Sequence, residues 1–91
     1  MDRATFEASL TSDGFQIVCV SMKPDAVNAS HVHDFEARLL VVEGAMTIDR
    51  EGAPTQTYNA GETFALPLGC RHSETAGSAG AVYVAGRRKP S

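Results

Sequence analysis

The chain has 91 residues, 43% of them hydrophobic and 21% charged, with a net charge of −3. Those figures describe one small globular domain over residues 1–91 and exclude a disordered chain. Arg87, Arg88 and Lys89 lie in the last five residues, so taking three charges from −3 leaves −6 on residues 1–86. An acidic body with a short basic tail at 87–91, read as a solvated terminus, argues against nucleic acid as a partner. No apolar run approaches the roughly 20 residues that cross a bilayer, so no membrane partner is expected. Met1 to Thr5 lacks a basic segment followed by an apolar one, and two cysteines make no disulfide framework. A reduced, cytoplasmic setting is the expectation.

Glycine and proline punctuate short apolar runs every 8–12 residues or so, the pattern of an all-β chain. The helical period is weak everywhere and confined to the first few residues. Phe15 to Met22 predicts a strand, ended by Lys23-Pro24-Asp25 because proline cannot donate to a ladder. Ala29 to His33 predicts a short strand, and Arg38 to Val42 a stronger one, apolar on both faces through Leu39-Leu40-Val41-Val42. Glu43-Gly44 reads as a turn into Ala45 to Arg50, which alternates Met46 and Ile48 with Thr47 and Asp49. Turns at Glu51 to Pro54 and Asn59 to Glu62 bracket a polar strand, Thr55 to Tyr58. Thr63 to Leu66, His72 to Thr75 and Ala81 to Ala85 complete the set. Eight or nine strands in so short a chain must close on themselves, which predicts a small barrel or jelly roll. Such a barrel holds side chains or one small ligand.

All three histidines fall in patterned segments. His31 and His33 are spaced i, i+2, so on a strand both imidazoles point the same way. Two imidazoles aimed into one cavity each need a donor and an acceptor satisfied, and a metal ion is the usual occupant. His72 closes the segment Gly61 to His72, of the form G-x5-P-x-G-x2-H, and His31 opens H-x-H-x10-G, ending at Gly44.

Together these two segments resemble the two motifs of the cupin superfamily, and the chain looks like a small single-domain, RmlC-like bacterial cupin. The resemblance covers about residues 25–44 for the first motif and 61–76 for the second. It implies a small double-stranded β-helix, or jelly-roll barrel, with His31, His33 and His72 on the histidine-ligand positions. It also implies one divalent transition metal (iron, manganese, zinc, nickel or copper), among which imidazole ligands do not choose. The chain departs from the family pattern at Asp25, where glycine is usual, at Ala76, where asparagine is usual, and at Ala37, where the ligand glutamate falls.

Two acids compete for the place of that missing carboxylate. Glu36 lies one residue before it, but strict alternation turns 36 and 37 to opposite faces. Asp34 is expected to face out. Glu74 stands two residues after His72 and shares its face on a strand, which makes it the candidate catalytic base or substrate contact. With neither acid bound, three histidines leave open positions for a substrate, as in cupin dioxygenases. Phe35, Arg38, Met46, Phe64 and Tyr83 are the candidate substrate-binding residues, with Leu66 a further candidate for the cavity wall; Cys19 is expected in the core, and Cys70 in the turn before His72.

Two functions follow from the resemblance. One is a metal-dependent enzyme, of dioxygenase, isomerase or lyase type, acting on a small organic molecule in the barrel. The other is a non-catalytic module that binds a metal or small ligand for sensing. The apolar run Leu39 to Val42 shows two faces, one of them without evident cover in so small a barrel, which predicts a homodimer.

Overall fold

The computed structural model describes residues 1–90; Ser91, the end of the basic tail, lies outside the described residues. Helix α1 spans Arg3–Ser12, and six strands follow: β1 Gln16–Met22, β2 Val27–His31, β3 Glu36–Arg50, β4 Gln56–Asn59, β5 Thr63–Leu66 and β6 His72–Arg88. The two long strands pair antiparallel along almost their whole length, from Glu36 opposite Arg88 to Arg50 opposite His72. The first half of β3 carries β5 on its other side, and the matching half of β6 carries β1. The second half of β3 carries β4, and the matching half of β6 carries β2. One sheet therefore has two four-stranded halves, β1-β6-β3-β5 and β2-β6-β3-β4, and it folds over where they meet. Leu39, Val41 and Tyr83 from one half pack in a single core with Met46, Ile48 and Ala76 from the other.

The fold-over sits at two register breaks, between Val41 and Glu43 and between Gly44 and Met46. Glu43-Gly44 is accordingly a bend within one strand, not the predicted turn between two. The predicted strands at 72–75 and 81–85 are likewise one strand, bulged through Gly77 to Gly80. Gly44 has φ +73°, and a Cβ there would lie 2.1 Å from the Gly80 carbonyl oxygen. A left-handed glycine in a bulge bends a strand without ending it. The bulges also switch which residues face inward, from 37, 39 and 41 to 46 and 48 along β3, and from 72, 74 and 76 to 81, 83 and 85 along β6.

The N-terminal segment is a ten-residue helix, longer than its weak period predicts. The Asp2 side chain caps it, accepting from the Thr5 N–H at 2.9 Å, and that bond holds the Asp2 carboxyl below its ordinary pKa. Only Phe6 and Leu10 are buried on it, too few to reveal a stripe. They pack with Phe15, Leu40 and Val84 on the outside of the sheet. Leu40 is only 1% exposed. The second face of the Leu39 to Val42 run is thus covered by the chain's own helix, which removes the reason given for a partner there.

Two further expectations are corrected. Cys19 is exposed on β1, because its neighbours Val18 and Val20 take the inner face. Arg87 and Arg88 belong to β6 and are not a solvated tail. Among the described residues no helix is long and apolar enough to cross a membrane.

Replacing Gly44 by alanine combines a left-handed φ with a backbone clash and should cost at least about 2 kcal/mol. At Gly52, with the same φ sign but nothing within 4 Å of the added Cβ, the cost should stay near 1 kcal/mol. Thermal melts of the two variants compare the effects.

Candidate metal centre

β2 and β6 set His31 directly opposite His72, so the two side chains stand on one face of the sheet. His33 follows just beyond the end of β2, not within a strand as predicted, yet it keeps the same direction. Its Nε2 lies 3.0 Å from that of His31, and one nitrogen from each of His31, His33 and His72 lies within 4.8 Å of the others.

The backbone fixes which nitrogens face inward. His31 Nδ1 lies 2.6 Å from the Ala29 carbonyl oxygen, and His72 Nδ1 lies 3.1 Å from that of Cys70. A carbonyl only accepts, so each Nδ1 carries the proton and donates it, leaving each Nε2 with a bare lone pair. His72 Nε2 is buried and has no hydrogen-bond partner among the described residues. An orphaned buried acceptor is costly, and a cation beside it removes the cost. Burial, then the neighbouring His31 and His72, lower the pKa of His33 and favour its neutral, ligating form. The three residues therefore fit one divalent transition metal, with backbone carbonyls orienting two of the ligands.

Glu74 shares the face of His72, as alternation predicts. It is 5% exposed, and its Oε1 accepts from Asn28 Nδ2 at 3.2 Å and lies 3.7 Å from His31 Nε2. Glu36 does not join the cluster. It points to the opposite side of β3 and accepts from Arg88 Nε at 2.6 Å, which corrects its expected role as a metal ligand. Asp34 is exposed near Lys89.

A cavity of about 470 Å³ opens beside the histidines. Phe35 and Tyr83, both expected to contact a substrate, line it, and so does Leu66. The Phe35 ring stacks on His33 with centroids 4.5 Å apart. Burial, then the charge of Glu74, push the Tyr83 hydroxyl up to about 12, so it stays protonated. Three other expected contacts lie elsewhere. Arg38 is on the outer face, paired with Asp13 at 2.5 Å and stacked over Phe15. Met46 is wholly buried in the core, and Phe64 stacks there on Tyr58. Arg87, Asn28 and Ala37 also line the cavity, none of them expected as a ligand contact. Alternation from Tyr83 through Ala85 would have found Arg87, had β6 been carried that far.

Changing both His31 and His72 to alanine should leave the barrel folded and remove its metal. Metal analysis per chain after reconstitution with zinc, beside circular dichroism, checks both halves of that expectation.

No family model and no curated protein matches the sequence. Solved structures do match. An RmlC-like cupin from Shewanella frigidimarina superposes with a TM-score of 0.69 at 20% identity, over 80% of this chain and 65% of that one. The DMSP lyase DddQ from Ruegeria pomeroyi gives 0.77 at 20% identity, over 84% of this chain and 39% of that one. Oxalate decarboxylase from Bacillus subtilis, described with Mn(II) centres, gives 0.74 at 23% identity, over 85% of this chain and 22% of that one. This chain thus spans less than two thirds of each of the three. With two antiparallel half-sheets folded over a shared core and three histidines at one end, this chain has the cupin fold.

Proposed function

We propose that the chain is a metal-dependent enzyme, with His31, His33 and His72 holding one divalent transition metal and Glu74 acting as proton acceptor. The observation that carries this reading is Glu74 itself. A carboxylate 5% exposed in an apolar barrel, 3.7 Å from a histidine of the cluster, is costly to keep for packing alone. The metal, when bound, supplies Lewis-acid polarisation of a coordinated substrate oxygen. Asn28 anchors one Glu74 oxygen and so orients the carboxylate toward the cavity. The Tyr83 hydroxyl remains a donor for a substrate oxygen. Phe35 and Leu66 exclude water from one wall.

A base beside the metal favours proton abstraction, the chemistry of lyases and isomerases, over the dioxygenase type. Two of the similar folds belong to a lyase and a decarboxylase, which supports the same direction. The non-catalytic module accounts for the histidines but gives Glu74 no task. Residues 1–91 are read as a single domain, and a reducing, cytoplasmic setting accords with the free cysteines Cys19 and Cys70. A homodimer now rests on small size alone.

Metal-loaded protein screened against small oxygenated organic compounds should show turnover that a chelator abolishes. Glu74→Gln should then retain the metal and the melting temperature and lose about 10²–10⁴-fold in kcat. Metal binding with unchanged turnover in that variant would instead leave Glu74 a structural group. Light scattering at tens of micromolar should give twice the chain mass, and a monomer refutes the dimer.

A further inference from the structure

Arg87 differs from the other arginines of this half of the sheet in what holds it. Two other arginines, Arg88 next to it and Arg38 on the paired strand β3, are held by Glu36 and Asp13. Arg87 has no hydrogen bond or ion pair among the described residues, and it lies over the Phe35 ring at 5.2 Å. It is exposed, yet it lines the cavity that holds the three histidines. The register sets it directly opposite Ala37, and side chains so paired stand together on one face. Ala37 lines the same cavity, and a methyl group is all that its side chain adds to this wall. A second hollow, lined by Arg87, Arg88 and Lys89, adjoins the first through Phe35 and Arg87. Arg88 and Lys89 stand beside Glu36 and Asp34, so Arg87 is the cation at this approach that has no acidic partner among the described residues.

We propose that the cavity takes a small organic acid whose carboxylate seats on Arg87 in the space left by Ala37, with the rest of the molecule directed to the histidines. The proposal rests on the metal reading above and names its substrate class. The charges agree with it. Three neutral imidazoles leave a divalent ion its full charge, and Glu74 and Arg87 offset each other, so the loaded cavity is cationic. The guanidinium fork matches a carboxylate with two parallel hydrogen bonds. A phosphate dianion fits less well, because one guanidinium faces it and Glu74 stands nearby. The protonated Tyr83 hydroxyl adds a donor on the same strand, four residues along from Arg87.

The test is a nuclear magnetic resonance titration of the zinc-loaded and zinc-free chain with propionate and succinate. Propionamide, succinamide and inorganic phosphate serve as comparisons. The carboxylates should shift the Ala37, Tyr83 and Arg87 signals with millimolar affinity, and the amides should not. Arg87→Gln should weaken carboxylate binding about tenfold or more. Lys89→Gln, which removes the same charge from an exposed side chain of the adjoining hollow, should change it less than twofold. In the zinc-free chain, where no ion competes for the new carboxylate, Ala37→Glu should occupy Arg87 internally and abolish the titration while circular dichroism stays unchanged. Equal binding of amides, tighter binding of phosphate, an equal loss in Lys89→Gln, or no carboxylate shift at these residues overturns the proposal. Failure to take up zinc, with carboxylate shifts at Arg87 intact in the zinc-free chain, overturns the metal reading and leaves the carboxylate seat standing.

Discussion

The pairing of β3 with β6 is the contact on which the other elements depend. Each of these strands is long enough to serve both halves of the sheet, and every shorter strand hydrogen-bonds to one or the other. The pair can serve both halves only by bending at the same place, where Gly44 meets the Gly80 carbonyl. A side chain on Gly44 would strike the Gly80 carbonyl and hold the two strands apart, and one on Gly80 would strike the Met22 carbonyl oxygen at 2.7 Å. His72 and Glu74 lie on one side of that bend and Tyr83 and Arg87 on the other. Because of it, all four point into one cavity.

The cavity concentrates polar groups at one end of an apolar barrel. Leu39, Leu66 and Ala85 form its apolar wall, while the imidazoles, Glu74, Tyr83 and Arg87 supply charge and hydrogen-bonding capacity. In so small a domain such groups are a burden on stability, since each buried polar atom without a partner costs about 1–3 kcal/mol. The backbone meets part of that demand through the Ala29 and Cys70 carbonyls. The remainder, His72 Nε2 above all, is satisfied only by something bound. Fold and ligand chemistry are therefore coupled here through solvation.

Helix α1 answers a different shortage. A sheet half made largely of apolar residues cannot leave both faces apolar in water. Phe6 and Leu10 cover Leu40 and Val84, with Phe15 closing the edge, and Arg38 and Arg88 lie over the Phe15 ring at 4.5 Å each. The outer face is thus finished by the chain's own first residues. Two arginines that the sequence offered as a ligand contact and a solvated tail are spent there.

Spacing along the chain was enough to show an all-β chain that closes on itself, the shared direction of His31 and His33, and the inward Glu74, while the resemblance of the two motif segments to cupins brought His72 to the same site. Period-2 alternation carries Glu74 from His72 within one strand, whereas His33 lies beyond the end of β2. Alternation also argued against Glu36, since it shares a strand with Ala37 but faces the other way. What spacing could not show depends on contacts between distant segments. Glu43-Gly44 is a bend and not a reversal because Gly80, thirty-six residues on, packs against it. Met46 and Phe64 are core and not cavity wall because the second half-sheet folds over them. Arg87 reaches the site, and Arg38 does not, because β6 continues its alternation past Ala85 while Asp13 and Phe15 hold Arg38 outside. A partner surface was expected at Leu40 because its cover, α1, carries only two apolar residues. Their amphipathic signal is lost among polar neighbours until tertiary packing gives them something to bury.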